Sequence, residues 1–284
     1  MIIAGSESQS LAAVLADELD RPLADATYDR FPDGELLVEL ADIDAERAIV
    51  VASTTSSDAH LELLLLQDAA REAGVTDLTT VVPYMGYARQ DAAFEPGQPV
   101  SARAVARAIS SGTDRVLTVN PHEAAVCDFF TVPTTAVDAA GLLARPLPTA
   151  LADPVFLSPD AGAIGLAETV RDAYDAGTVD HFEKTRRSGT EVEIAPSGTD
   201  VADRDVVVVD DIVSTGTTMS EAIGVLSDRD VARVFVCCVH PMLAGSALTS
   251  LSRAGVEAIY GTDTIERPVS TVSAAPAIAA ALER

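Results

Sequence analysis

The chain has almost no lysine: of its 19 basic residues 18 are arginine, and Lys184 is the one exception. Cysteine is also scarce. Cys127, Cys237 and Cys238 make no CxxC pair, which argues against a structural zinc site, and the last two sit in an apolar run where thiols act as core residues. No stretch of about 18 apolar residues and no leader pattern appears, so a membrane span is not expected and a soluble, cytoplasmic protein is. The GxxxxGK[ST] run of a nucleotide P-loop is missing too, which excludes that form of phosphate cradle.

What is abundant is negative charge. Against the 19 basic residues stand 44 acidic ones, for a net charge of −25. That balance discourages nucleic acid and anionic membrane surfaces as partners, and it opposes anionic substrates, so any phosphate site needs local cations or a metal. Acid-rich, lysine-poor composition resembles that of proteins from salt-accumulating halophiles. At molar salt the Debye length is roughly 3 Å, so surface self-repulsion is largely screened and the acidity reads as adaptation to solvent. With 284 residues and 48% hydrophobic content, the chain is long enough for two domains of ordinary size.

One run organises the rest. Asp205 is followed by four valines, then Asp210, Asp211, Ile212, Val213, Ser214, Thr215, Gly216, Thr217 and Thr218. The β-branched block predicts a strand buried on both faces in a parallel sheet. Two carboxylates stand at its end, then a loop of small hydroxylated residues, then a helix expected from about Ser220. A strand, a tight loop and a helix start make a place where backbone amides and the helix dipole hold a phosphate. Gly216 permits a sharp turn, and Ser214, Thr215, Thr217 and Thr218 supply hydroxyls. Acidic residues beside such a loop suit a phosphorylated sugar, with Asp210 and Asp211 taking ribose hydroxyls directly or through a metal. A polar βα turn with a helix cap is the plainer account of the same residues.

Read in order, the chain predicts a strand at 1–4, a helix at 8–19, and a turn at Pro32-Asp33-Gly34 followed by a strand at 36–40. Strands at 48–52, 78–83 and 115–119 alternate with helices at 60–73 and 101–109. The second strand runs into Arg89-Gln90-Asp91, which puts arginine, amide and carboxylate side by side at a strand end, where α/β sheets bind ligands. The third ends in Asn120-Pro121-His122-Glu123. Prolines 146, 148 and 154 mark a domain boundary.

A second series then begins, with a strand at 155–157, Ser158-Pro159-Asp160, and a helix at 163–174. Strand, proline, then histidine or aspartate, then helix occurs in both halves and suggests two related domains. Residues 182–189 are a polar, glycine-containing segment that reads as a basic β-hairpin or an exposed loop before a strand at 191–194. Lys184 lies there, near Arg186 and Arg187. An ammonium is a compact charge with rotatable donors, which arginine's planar fork does not imitate at a crowded phosphate. The remaining elements are strands at 234–239 and 256–260 and helices at 244–254 and 276–282.

Taken together, PYMGYARQDAAFEPGQPVSARAVARAI, NPHEAAVCDFF, LSPDAGAIG, FEKTRRSGTEVEI and DDIVSTGTT occur in the order and spacing of ribose-phosphate pyrophosphokinases, and the chain resembles that family over nearly its whole length, its archaeal branch most. The resemblance implies an α/β protein of two related phosphoribosyltransferase-like domains, 1–143 and 144–284, each a mainly parallel sheet flanked by helices, with helix 275–284 packing back on the first. It implies transfer of a pyrophosphoryl group from ATP to ribose 5-phosphate. Lys184 and Arg186 would neutralise the transferring group; Phe31, Asp33, Gly34, Glu35, Arg89, Gln90 and Asp91 would take ATP. In the family's pattern Phe31, Asp33 and Glu35 reach the adenine site of a neighbouring subunit, which needs at least a dimer. Arg186, Asp210, Asp211 and residues Ser214, Thr215, Gly216, Thr217 and Thr218 would take ribose 5-phosphate. His122 and Asp160 match the family's magnesium positions. Asn120 departs from the aspartate common there. The alternatives are a phosphoribosyltransferase that consumes the product and a catalytically silent paralogue, the latter disfavoured by the intact Lys184 and Arg186.

Overall fold

The computed structural model describes residues 1–41, 43–186 and 192–284, and the side chains of these apart from 184–186 and 192–195. The chain divides into two units. The first holds Met1–Ala139, Asp263–Glu266 and Ser273–Arg284, and the second Ala140–Thr262 and Arg267–Val272.

The first unit runs β1 (Ile2–Ala4), α1 (Gln9–Glu18), β2 (Asp25–Arg30), β3 (Leu36–Ala41), β4 (Arg47–Val51), α2 (Ser57–Glu72), β5 (Asp77–Val82), α3 (Ser101–Ser110), β6 (Arg115–Val119) and β7 (Thr134–Val137). Five strands form one parallel sheet in the order β1-β4-β5-β6-β7, and β2 and β3 form a separate antiparallel hairpin. Val50, Val51, Val81 and Val82 are fully buried, as strands covered on both faces require. Leu63, Leu66 and Ala70 of α2 and Ala102, Ala106 and Ile109 of α3 pack in the same core. Helix α2 starts where Ser56 accepts from the Ala59 amide at 3.1 Å and ends before Gly74, whose φ of 96° suits glycine. The C-terminal helix, Ala275–Leu282, packs against α1.

The second unit runs β8 (Val155–Ser158), α4 (Ile164–Tyr174), β9 (Thr178–Arg186), β10 (Val192–Pro196), β11 (Asp205–Ile212), α5 (Thr217–Ser227), β12 (Arg233–His240), α6 (Ala247–Arg253), β13 (Ala258–Thr262) and β14 (Ser270–Val272). Its sheet has the order β10-β9-β8-β11-β12-β13-β14, parallel throughout except for β9 with β10. Val206, Val207, Val208 and Val209 are fully buried at its centre, each such side chain contributing about 1.5–3 kcal/mol. Cys237 and Cys238 are buried free thiols on β12.

Two expectations need correction, and one choice between readings is resolved. The helix after the carboxylates starts at Thr217, three residues before Ser220, because Gly216 adopts φ 75° and serves as its N-cap. Of the two readings of the segment around Lys184, the described residues follow the hairpin and not the loop, residues 187–191 lying outside them: β9 continues through Arg186, with Lys184 opposite Ile194 and Arg186 opposite Val192. Paired β-strand hydrogen bonds there override the polar composition. The helix expected over 244–254 is confined to Ala247–Arg253, since Leu243 and Gly245 take positive φ. Strands β2, β7 and β14, and β9 before residue 182, go unread in the sequence. No helix among the described residues is long and apolar enough to cross a membrane.

Candidate active site

In the second unit the site begins at the carboxyl end of β11. Valine burial ends at Asp210, and Asp210, Asp211 and Ile212 are half-buried. Asp210 Oδ1 accepts from the Asp211 amide at 2.9 Å, and Asp211 Oδ1 accepts from the Ile212 amide at 2.8 Å. Burial, then the adjacent Asp211 charge and more weakly Asp160, push the Asp210 carboxyl well above the ordinary carboxylate range. Ionising both neighbours is thus unfavourable, and a divalent cation or a set of hydroxyl donors would relieve it.

The loop that follows is held from outside. The Val213 amide donates to His240 O at 3.2 Å, the Leu243 amide to Val213 O at 2.9 Å, and the Ala244 amide to Ser214 O at 2.9 Å. A Cβ at Gly216 would lie 3.3 Å from Ala247 Cβ on a backbone that disfavours side chains, so close packing and φ both call for glycine here. The first-turn amides of α5 have no intrahelical acceptors and meet the positive end of the helix dipole. Thr215, Thr217 and Thr218 are exposed around them, with Thr215 Oγ1 3.2 Å from Thr217 Oγ1. A pocket of about 620 Å³ opens alongside, lined by Thr215, Thr217, Ser220, Glu221 and the 244–246 segment, and the Ser220 hydroxyl is buried in it without a hydrogen-bond partner. Such a cradle holds a phosphate through backbone amides and hydroxyls without lysine.

Asp160 is exposed after β8, which pairs with β11. One of its carboxylate oxygens, Oδ1, accepts from the Gly162 and Ala163 amides at 2.9 and 3.2 Å and caps the turn before α4. Lys184 and Arg186 are placed by backbone alone, and the neighbouring Arg187 lies outside the described residues.

In the first unit, two of the expected segments sit at strand ends and one at a hairpin tip. Gly86 is packed so tightly that a Cβ would fall 2.2 Å from Thr54 O. Tyr87 then takes φ 64°, a conformation costly for an aromatic residue, and its carbonyl accepts from the Gln90 amide at 3.0 Å. The resulting turn presents Arg89 to solvent, while Gln90 is tied to the start of α3 by Ser101 Oγ and by its own carbonyl, which accepts from Ala102 N at 3.1 Å. Asp91 is half-buried beside it.

The hairpin tip is closed by Phe31 N to Glu35 O and Gly34 N to Phe31 O, both 2.8 Å, with Gly34 at φ 95°. Phe31, Asp33 and Glu35 are all exposed, an uncommon placement for a phenylalanine. After β6, Asn120 takes φ 35°, and its side chain ties the ends of β6 and β7: Nδ2 donates to Asp138 Oδ1 and Oδ1 accepts from the Ala139 amide, both at 2.8 Å. His122 follows, exposed. Among the described residues no three His, Cys, Asp or Glu side chains gather as a metal-ligand set. Sequence reasoning passed over Tyr87, whose only signal is its place beside Arg89, and Asn120's cross-link, whose partner lies 18 residues away.

Two parallel α/β units, the second with paired carboxylates and a hydroxyl loop capping a helix, define a protein of two phosphoribosyltransferase-type domains. Comparison agrees: residues 1–112 match the model of the N-terminal domain of ribose phosphate pyrophosphokinase, and residues 135–269 that of the phosphoribosyl transferase domain. A ribose-phosphate pyrophosphokinase of Halobacterium salinarum is 66% identical over 99% of this chain and 100% of its own, and one of Methanopyrus kandleri is 42% identical over 100% and 98%. The crystal structure of phosphoribosylpyrophosphate synthetase from Mycobacterium smegmatis superimposes with a TM-score of 0.84 at 26% identity, covering 100% of this chain and 97% of that one. The chain belongs to the ribose-phosphate pyrophosphokinase family.

Proposed function

We propose that the chain moves the β,γ-pyrophosphoryl group of ATP to the anomeric hydroxyl of ribose 5-phosphate, in the cytoplasm, giving 5-phosphoribosyl 1-pyrophosphate and AMP. The observation that carries this reading is the run from Asp210 to Thr218, in which two carboxylates at a strand end lead directly into a glycine-capped helix start ringed by hydroxyls. Amides of the first turn of α5, with Ser214, Thr215, Thr217 and Thr218, hold the sugar's phosphate. Asp210 and Asp211 take the ribose hydroxyls and leave the anomeric oxygen to react.

ATP is taken by residues of the first unit. Arg89 and Gln90 bind the phosphates, with Asp91 beside them, and Phe31 stacks on adenine while Asp33, Gly34 and Glu35 make polar contacts. The tip from Phe31 to Glu35 serves a neighbouring subunit in this reading, so the working form is a homo-oligomer. The sugar oxygen bonds to the β-phosphorus, the bond from that phosphorus to the α,β-bridging oxygen breaks, and the hydroxyl proton leaves. Such a transfer asks the protein mainly for positioning and charge stabilisation. Lys184 and Arg186 supply that charge, since the rest of the chain is strongly anionic.

The carboxylate oxygens of Asp160, Asp210 and Asp211 are hard donors suited to magnesium, and the raised pKa of Asp210 records the charge that such an ion would offset. Asp160 keeps a carboxylate oxygen outside its cap, and His122 is exposed for a metal or a phosphate. Magnesium, when bound, supplies positive charge to the polyphosphate. Few protein ligands suffice, because magnesium retains waters and substrate oxygens.

The test is ATP carrying label on both the β- and γ-phosphorus. Both labels should arrive on the sugar in equal amounts. Transfer of the γ label alone would refute pyrophosphoryl transfer.

A further inference from the structure

The first turn of α2 touches both segments assigned to ATP. On one side, Arg30 Nη2 donates to Asp58 Oδ2 at 2.6 Å while Arg30 Nη1 donates to Gly34 O at 2.7 Å. One guanidinium thus ties the hairpin tip to the helix. On the other side, Ser57 Oγ lies 3.0 Å from Tyr87 Oη, and the Tyr87 ring rests against His60 with centroids 5.5 Å apart. Tyr87 is the strained residue whose carbonyl closes the turn around Arg89.

Stability does not explain these contacts. The Arg30 and Asp58 side chains are 51% and 64% exposed, and an ion pair that open contributes little to folding. Tyr87 is half exposed and holds an unfavourable φ, so its placement costs free energy that buried packing does not recover. Strain kept by specific side-chain contacts at a strand end is the pattern of a positioning device. The glycine before it fixes the backbone, because Thr54 O leaves no space for a side chain there.

We propose that the amino-terminal turn of α2 is a shared positioning element for the nucleotide: Asp58 sets the hairpin tip through Arg30, and Ser57 with His60 sets Tyr87 and so the aim of Arg89. The inference rests on the reading that these two segments take ATP. Ser57, Asp58, His60, Tyr87 and Arg30 are positioning residues, and none of them needs to touch the reacting atoms.

The experiment is calorimetric titration of ATP, without ribose 5-phosphate, into the wild type and into Tyr87→Phe and Asp58→Asn, with thermal unfolding of each. Tyr87→Phe removes one hydroxyl, and Asp58→Asn keeps shape while losing charge. The expected result is a Kd for ATP weakened roughly three- to tenfold in each variant, about what a lost hydrogen bond to an ordering group is worth. Unfolding temperature should be unchanged, and Asp58→Glu should recover part of the affinity. An unaltered ATP Kd in both variants overturns the proposal, as does weakened binding that only follows a fall in unfolding temperature. If the wild type binds ATP and the variants weaken it but no pyrophosphoryl transfer occurs, the functional reading fails and the positioning element stands. If the wild type does not bind ATP, both fall.

Discussion

Asn120 Nδ2 donates to Asp138 Oδ1 at 2.8 Å and thereby ties the carboxyl ends of β6 and β7, two residues before His122. An asparagine suits this position. The position takes φ 35°, which asparagine tolerates, and its amide donates to a carboxylate, which an aspartate could not do when ionised.

Asn120→Asp should therefore destabilise the first unit by about 1 kcal/mol, since a donor is lost and like charges meet at hydrogen-bond distance. The loss should shrink as salt rises and screens the pair. Thermal unfolding at the lowest KCl that keeps the wild type folded measures it. An unchanged midpoint there would mean that the cross-link has no energetic weight.

Asp210 makes stability depend on pH. Its folded pKa is raised by burial and by the charges of Asp211 and Asp160, so the folded chain binds this proton more tightly than the unfolded chain does. Its contribution is complete below the ordinary carboxylate pKa and is lost as pH rises through the raised folded value. Asp210→Asn should flatten the stability profile of the ligand-free protein between about pH 5 and pH 8, and should gain most at the upper end. Denaturant titrations of both proteins across that range decide it, and parallel profiles would remove Asp210 as the source.

If Lys184 neutralises the transferring group as proposed, Lys184→Ala should abolish turnover with little change in folding. Retained activity would take Lys184 out of the mechanism.

How far the sequence carries can be seen residue by residue. The buried strands were legible because Val206, Val207, Val208 and Val209, or Val81 and Val82, form β-branched runs that only a doubly covered strand accommodates. Strand β7, four residues reading Thr-Thr-Ala-Val and partly exposed, gives no such signal. The start of α5 was placed late because Thr217 and Thr218 read as loop hydroxyls, whereas Gly216's left-handed backbone makes them the helix's first turn. The candidate site's segments were proposed from motifs in order along the chain. The pairs that hold them, Arg30 with Asp58, Ser57 with Tyr87 and Asn120 with Asp138, join residues 18 to 30 positions apart and leave no local pattern.

Identifying the nucleotide product in concentrated KCl with magnesium, ATP and ribose 5-phosphate separates pyrophosphoryl from phosphoryl transfer. AMP should form, and only when the sugar phosphate is present. ADP as the product would contradict pyrophosphoryl transfer.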